Sequence, residues 1–61
     1  MYNQFERSMR ACYEKLGPDR AYTIWKGFLQ RNAIAFGNEE YKRIEEMNEK
    51  FKEEYNGQNK N

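Results

Sequence analysis

The chain has 61 residues, a length that allows one small domain and leaves no room for a deep ligand pocket beside its only core. Valine is absent and ten residues are aromatic, so the composition argues against a sheet and for a core of large aromatic side chains. Residues 1–37 hold six basic and three acidic side chains, whereas 38–61 hold five basic and seven acidic ones, so the net charge of +1 hides a dipolar molecule. Function is therefore expected on the surface.

The first segment carries apolar residues at alternating steps of three and four, the pattern of one face of a helix. These residues are Tyr2, Phe5, Met9, Cys12 and Leu16. A glycine and a proline follow at positions 17 and 18, which is the usual signal that a helix has ended. The sequence predicts a first helix over about residues 2–16.

The second helix is predicted over about residues 19–36, with Trp25 central in its apolar face. Two residues do not fit this pattern, because the polar Asn32 lies within the apolar face and the apolar Ile34 lies on the polar side. Either the helix ends before Asn32, or a polar side chain is buried there and must be hydrogen-bonded. No helix breaker precedes Gly37, which favours a continuous helix to Phe36.

The third helix is predicted over about residues 39–55, with Asn38 as its N-cap. The residues that follow, 56–61, have nothing to bury and are expected to form a disordered tail. Three helices joined by short connections favour an all-α fold, a single antiparallel three-helix bundle that forms one domain over residues 1–55.

The residues that support most enzyme chemistry are missing. There is no histidine, and the single cysteine, Cys12, lies on the apolar stripe with no base to activate it. Glu45 and Glu49 lie one helical turn apart, but such pairs are common on solvated helices and no second group of ligands accompanies them. We expect no enzyme activity, no metal site and no cofactor.

The sequence has no apolar run long enough to cross a membrane and no apolar segment typical of a signal peptide near its first residue. A lone cysteine also fits a reducing compartment. We expect a cytoplasmic protein.

Two surfaces are candidates for partner binding. The first lies on the outer side of the second helix and comprises Arg20, Gly27, Gln30, Arg31 and Ile34. A glycine inside a helix costs about 1 kcal/mol relative to alanine, and close approach of another backbone would explain it. The plainer interpretation is an incidental glycine in a helix that ends before Ile34.

The second candidate surface is an acidic stripe on the third helix. It comprises Glu45, Glu46, Glu49 and Glu53, which would attract a basic groove on a partner. The plainer interpretation is an ordinary solubilising face.

These observations favour a non-enzymatic protein-binding module that acts as an adaptor, regulator or stoichiometric inhibitor of a larger protein. Phages and mobile elements encode many proteins of this size, and the bias toward Lys, Asn, Glu and Tyr fits an AT-rich source. The alternative is a small nucleic-acid-binding regulator of the helix-turn-helix kind, although the third helix, which would read the groove, begins Asn-Glu-Glu and is acidic. A third interpretation is a self-associating structural protein, since so small a core gains stability from a homodimer.

Overall fold

In the computed structural model, residues 3–58 are described and form three helices. The helices are α1 (Asn3–Leu16), α2 (Pro18–Arg31) and α3 (Asn38–Gln58). Each helix packs against the other two, so the predicted three-helix bundle is confirmed. Tyr2, which the sequence placed at the start of the first helix, lies outside the described residues.

The connection between α1 and α2 is a single residue. Gly17 adopts a φ of 88°, a left-handed conformation that glycine adopts without a steric penalty. Its N–H donates to the carbonyl of Tyr13 at 3.0 Å, and Pro18 occupies the first turn of α2, where its missing N–H costs nothing. The predicted stop signal at Gly17 and Pro18 therefore operates as expected, and the sharp corner sets α2 directly against α1.

The prediction that the second helix continues to Phe36 is wrong, because α2 ends at Arg31. The side-chain amide of Asn32 donates to the carbonyl of Phe28 at 2.8 Å, and its backbone N–H donates to the same carbonyl at 3.1 Å. Such local side-chain hydrogen bonds compete with a helix, and Asn32 accordingly leaves the helical conformation with φ −113° and ψ 20°. Residues 32–36 form a turn instead.

Helix α3 differs from its predicted limits at both ends. It begins at Asn38, and the N–H of Tyr41 donates to the carbonyl of Gly37 at 2.9 Å, so Gly37 takes the capping position that was predicted for Asn38. The helix continues to Gln58, three residues into the predicted disordered tail. Residues 59–61 lie outside the described residues.

The core differs from the predicted apolar stripes in two places, one in α1 and one in α2. The buried apolar side chains are Met9, Tyr13, Ala21, Leu29, Ile44, Phe51 and Tyr55. Tyr13 replaces Leu16, which is 40 % exposed, because α1 packs against both other helices and its buried face is centred between Met9 and Tyr13. Trp25 is half-buried at the edge of the core, so its predicted central position is wrong.

A polar link inside the core joins all three helices. The Tyr13 hydroxyl of α1 lies within hydrogen-bonding distance of the side-chain oxygen of Asn48 and, at 3.0 Å, of its backbone carbonyl in α3. The Asn48 amide in turn donates to the carbonyl of Tyr22 in α2 at 3.4 Å. Asn48 is buried but satisfied, which accounts for the polar residue that interrupts the apolar stripe of α3.

Four aromatic rings close the end of the bundle that holds the α2–α3 turn. Phe36, in that turn, makes edge-to-face contacts with Phe5 of α1 at 5.8 Å and with Phe28 of α2 at 5.9 Å between ring centroids. Phe28 makes a similar contact with Trp25 at 5.3 Å. These contacts bring the turn back against the bundle, since aromatic pairs in this geometry attract one another beyond the area that they bury.

Candidate partner-binding surface

The outer side of α2 presents most of the predicted surface to solvent. Arg20, Gln30 and Arg31 are exposed, Gly27 is half-buried, and Ile34 is fully exposed. Because α2 ends at Arg31, the helical spacing that joined Ile34 to Gly27 no longer applies, and Ile34 belongs to the turn. The prediction that Ile34 continues the line of Arg20, Gly27 and Arg31 along the helix is therefore wrong.

Ile24 is a member of this surface that the sequence analysis missed. Its side chain is 47 % exposed, because it lies at the edge of the apolar face of α2 rather than inside it. Arg20, Ile24, Gly27 and Arg31 follow one another at steps of four, three and four, so they lie on one line along the helix. We call these four residues the α2 stripe, and the same spacing rule applied from Arg20 would have found Ile24.

The flat spot expected at Gly27 is covered by a neighbour on the same helix. A Cβ atom placed on Gly27 would meet Nη1 of Arg31 at 3.3 Å, so the guanidinium group folds back over the glycine. Arg31 forms no ion pair within residues 3–58 that would hold it there. The contact is made by the end of a flexible side chain, which can move aside when another surface approaches.

The α2 stripe faces away from α3. Tyr22 marks the side of α2 that contacts α3, because its hydroxyl donates to the carboxylate of Glu49 at 2.8 Å. Ile24 comes two residues later and lies about 200° further round the helix at 100° per residue. The α2 stripe and the acidic stripe of α3 are therefore separate surfaces rather than parts of one site.

The acidic stripe is partly engaged within the molecule itself. Glu46, Glu49 and Glu53 are exposed, and Glu45 is half-buried. Glu49 accepts the hydrogen bond from Tyr22, so it helps to hold α2 against α3. Its position thus has a structural explanation that is independent of any partner.

Two lysines flank the Tyr22 ring at this α2–α3 contact. The ammonium of Lys52 lies 4.3 Å from the ring centroid and that of Lys26 lies 5.4 Å from it, distances at which a cation is attracted to an aromatic face. Lys26 also donates to the Tyr22 hydroxyl at 3.4 Å, and this hydrogen bond raises the pKa of its ammonium group. The charges here form a self-contained cluster that joins two helices.

An open groove of about 740 Å³ runs between α1 and α3. Its apolar floor includes Met47 and Phe51, and Arg10 lies with its guanidinium carbon 4.9 Å above the Phe51 ring. Arg10 also forms an ion pair with Glu6 at 3.5 Å. The walls mix basic and acidic side chains, so the groove favours neither sign of ligand charge.

Cys12 is half-buried, and no three metal-ligating side chains of the described part of the chain converge on one point. Across the same residues, no helix combines the length and the apolar character needed to cross a membrane.

Comparisons of the chain with protein-family models, with curated proteins and with solved structures give no match.

Proposed function

We propose that this chain is a non-enzymatic protein-binding module, which acts in the cytoplasm as an adaptor, regulator or stoichiometric inhibitor of a larger protein. One observation carries the proposal. The sequence has five leucine and isoleucine residues, and three of them, Leu16, Ile24 and Ile34, are exposed. A domain of this size buries a smaller share of its surface than a large domain does, and it gains stability from every aliphatic side chain that it buries. These exposed aliphatic side chains are available for contact with another molecule, and this supports a protein-binding role.

The charges near these side chains support a protein partner. The side chains of Arg20 and Arg31 make no hydrogen bond or ion pair with another residue of 3–58, so both are available at the rim of an interface. Arginine is enriched in protein interfaces, where its charge steers encounter and its stem covers apolar surface. The α3 helix, which would enter the groove of DNA in the alternative function, presents glutamates instead.

Capture from a nuclease-treated bacterial lysate, followed by mass spectrometry, tests the proposal. We expect the parent chain to retain a protein, and a double variant with Ile24→Glu and Ile34→Glu to lose it. The matched control is Thr23→Glu with Asn56→Glu, which adds the same two carboxylates at exposed positions and removes no aliphatic side chain. Thermal unfolding of both variants verifies that they fold.

Three results would contradict the proposal. The first is capture of nothing but material that disappears with nuclease, and the second is equal capture by the parent chain and the Ile24/Ile34 variant. The third is a parent chain that sediments as a homodimer whose dissociation follows the same two substitutions, which would support the self-associating structural protein.

A further inference from the structure

We propose that the α2 stripe docks an acidic amphipathic helix of another protein, with Ile24 as the apolar contact and Arg20 and Arg31 as the charged ends. The inference rests on the proposed function, because it names the chemistry of the partner that the module would bind. The evidence comes from the spacing, the charge and the surroundings of the α2 stripe.

The stripe has the dimensions of a helix-binding surface. Arg20 and Arg31 are eleven residues apart, which corresponds to about 16 Å along a helix that rises 1.5 Å per residue. The half-exposed Ile24 and the half-buried Phe28 lie between them on the same side of α2. Gly27 has no side chain, so the backbone of a second helix can come close once the Arg31 guanidinium moves aside.

The charge on this side of the molecule has one sign. The acidic residues of α1 and α2 are Glu6, Glu14 and Asp19. Glu6 pairs with Arg10, and Glu14 accepts a hydrogen bond from Tyr55 at 3.3 Å, so both lie on the side of α1 that faces α3. Asp19 lies about 140° from Ile24 at 100° per residue. Within residues 3–58, neither arginine forms an ion pair with a carboxylate, and a partner with carboxylates three turns apart on its own helix would supply one for each.

Like charge makes a second copy of this chain a poor occupant. A two-fold pairing of α2 stripes would bring the arginines of the two copies together, with no acidic side chain between them. An anionic membrane would need several large apolar side chains that project outward, whereas Trp25 and Phe28 are packed against each other and Ile24 is the one exposed aliphatic side chain of the α2 stripe. An acidic helix with its own apolar stripe would pack against Ile24 and pair its carboxylates with Arg20 and Arg31.

A designed peptide tests this docking directly. The probe is a tryptophan-free amphipathic peptide of about six helical turns, roughly 20 residues, with a leucine and alanine stripe at steps of three and four and two glutamates eleven residues apart on the same side. Two companions keep its length, one with lysines in place of the glutamates and one with the apolar spacing scrambled. Fluorescence of Trp25, the chain's single tryptophan, reports binding to the adjacent stripe, and amide shifts in NMR spectra locate it.

We expect saturable binding of the acidic peptide, with the largest amide shifts at Ile24, Gly27 and Arg31. Ile24→Ala should weaken the affinity about tenfold, since apolar contacts at the centre of an interface carry most of its energy. Thr23→Ala changes an exposed side chain of the same helix that lies about 100° from Ile24 and should change the affinity by less than about twofold.

Charge reversal provides the sharpest comparison. Arg20→Glu with Arg31→Glu should lower the affinity for the acidic peptide about tenfold and create binding of the lysine peptide. Lys42→Glu with Lys50→Glu makes the same change in net charge on α3 and should leave both peptides unaffected.

The docking inference is wrong if the acidic peptide shows no saturable binding at millimolar concentration, or if the scrambled peptide binds equally well. It is also wrong if vesicles of anionic lipid or a duplex DNA produce the Trp25 response and the acidic peptide does not. Protein capture that depends on Ile24, combined with failure of the acidic peptide, would overturn this inference and leave the proposed function standing.

Discussion

Single residues determine which parts of this small surface a partner can reach, and Gly27 is the clearest example. The glycine lowers the helix propensity of α2, and the space above it is filled by the guanidinium of Arg31 rather than by another helix. A substitution at Gly27 can therefore raise the stability of α2 while it reduces the access of a partner to this surface.

Gly27→Ala should raise the free energy of unfolding by about 0.5–1 kcal/mol, because alanine is the better helix former and the Arg31 side chain can shift by the few tenths of an ångström required. Urea unfolding followed by circular dichroism measures the change. The same substitution in an Arg31→Ala background should stabilise by at least as much. A destabilised Gly27→Ala chain in both backgrounds would mean that something other than Arg31 occupies that space.

Tyr13 is the second residue whose role can be isolated. Tyr13→Phe leaves the buried oxygen of Asn48 without its donor and should lower the free energy of unfolding by about 1–3 kcal/mol. Adding Asn48→Leu removes the unsatisfied group, so the double variant should lose less than the sum of the two single variants. Additive losses would indicate that the hydrogen bond between Tyr13 and Asn48 contributes little.

The same hydroxyl predicts a loss of stability at high pH. Burial raises the pKa of the Tyr13 hydroxyl above its ordinary value of about 10. The unfolded chain therefore ionises first, and the contribution of Tyr13 to stability is complete below pH 10 and is lost as the pH rises above it. Melting temperatures measured from pH 8 to pH 11 should fall more steeply for the parent than for Tyr13→Phe. Parallel curves would contradict this assignment.

Helix ends were harder to predict than helices. The three helices and the corner at Gly17 followed from apolar spacing and from local signals that act within a few residues, and the beginning of α3 was predicted to within one residue. The end of α2 did not, because the apolar pattern continued past it while the Asn32 amide had an equally local alternative in the carbonyl of Phe28. Ile24 and Leu16 were misjudged for a related reason, since spacing identifies a helix face but not how wide an arc its neighbours cover.

The early end of α2 gives a prediction at this scale. Ile34 lies in the turn and is fully exposed, so Ile34→Glu should change the free energy of unfolding by less than about 0.5 kcal/mol. Phe36→Glu is the comparison, since Phe36 packs against rings of α1 and α2 and its loss should cost several times more. Thermal melts of the two variants measure the difference. A large loss of stability in Ile34→Glu would place that side chain in the core.

At the scale of the whole molecule, the arginines of the α2 stripe and the glutamates of α3 lie on different sides. The α2 stripe faces away from α3, and one glutamate of α3, Glu49, accepts a hydrogen bond from Tyr22 of α2. The sequence indicated this division only as a difference in net charge between the two halves of the chain.

Binding to duplex DNA should be weak and should disappear steeply with salt, because the glutamates of α3 repel phosphates and few arginines can reach them. Fluorescence anisotropy of a labelled duplex at about 50 and 200 mM salt measures this, over a range in which phosphate contacts lose most of their affinity. Tight, sequence-dependent binding at the higher salt concentration would favour the helix-turn-helix alternative over the proposed function.

The link from Tyr13 through Asn48 to Tyr22 also limits how the helices can slide along one another. A shift of α3 by one turn, about 5.4 Å, would carry the Asn48 side chain away from the Tyr13 hydroxyl and the Tyr22 carbonyl. The Tyr13 hydroxyl and both polar atoms of the Asn48 amide would then lose their hydrogen bonds. Alternative registers of the bundle are thus separated from the native one by an energy gap that apolar contacts alone, which tolerate sliding, would not create. A single asparagine in an otherwise apolar interior fixes the alignment of all three helices, and with it the line of residues that the α2 stripe presents to a partner.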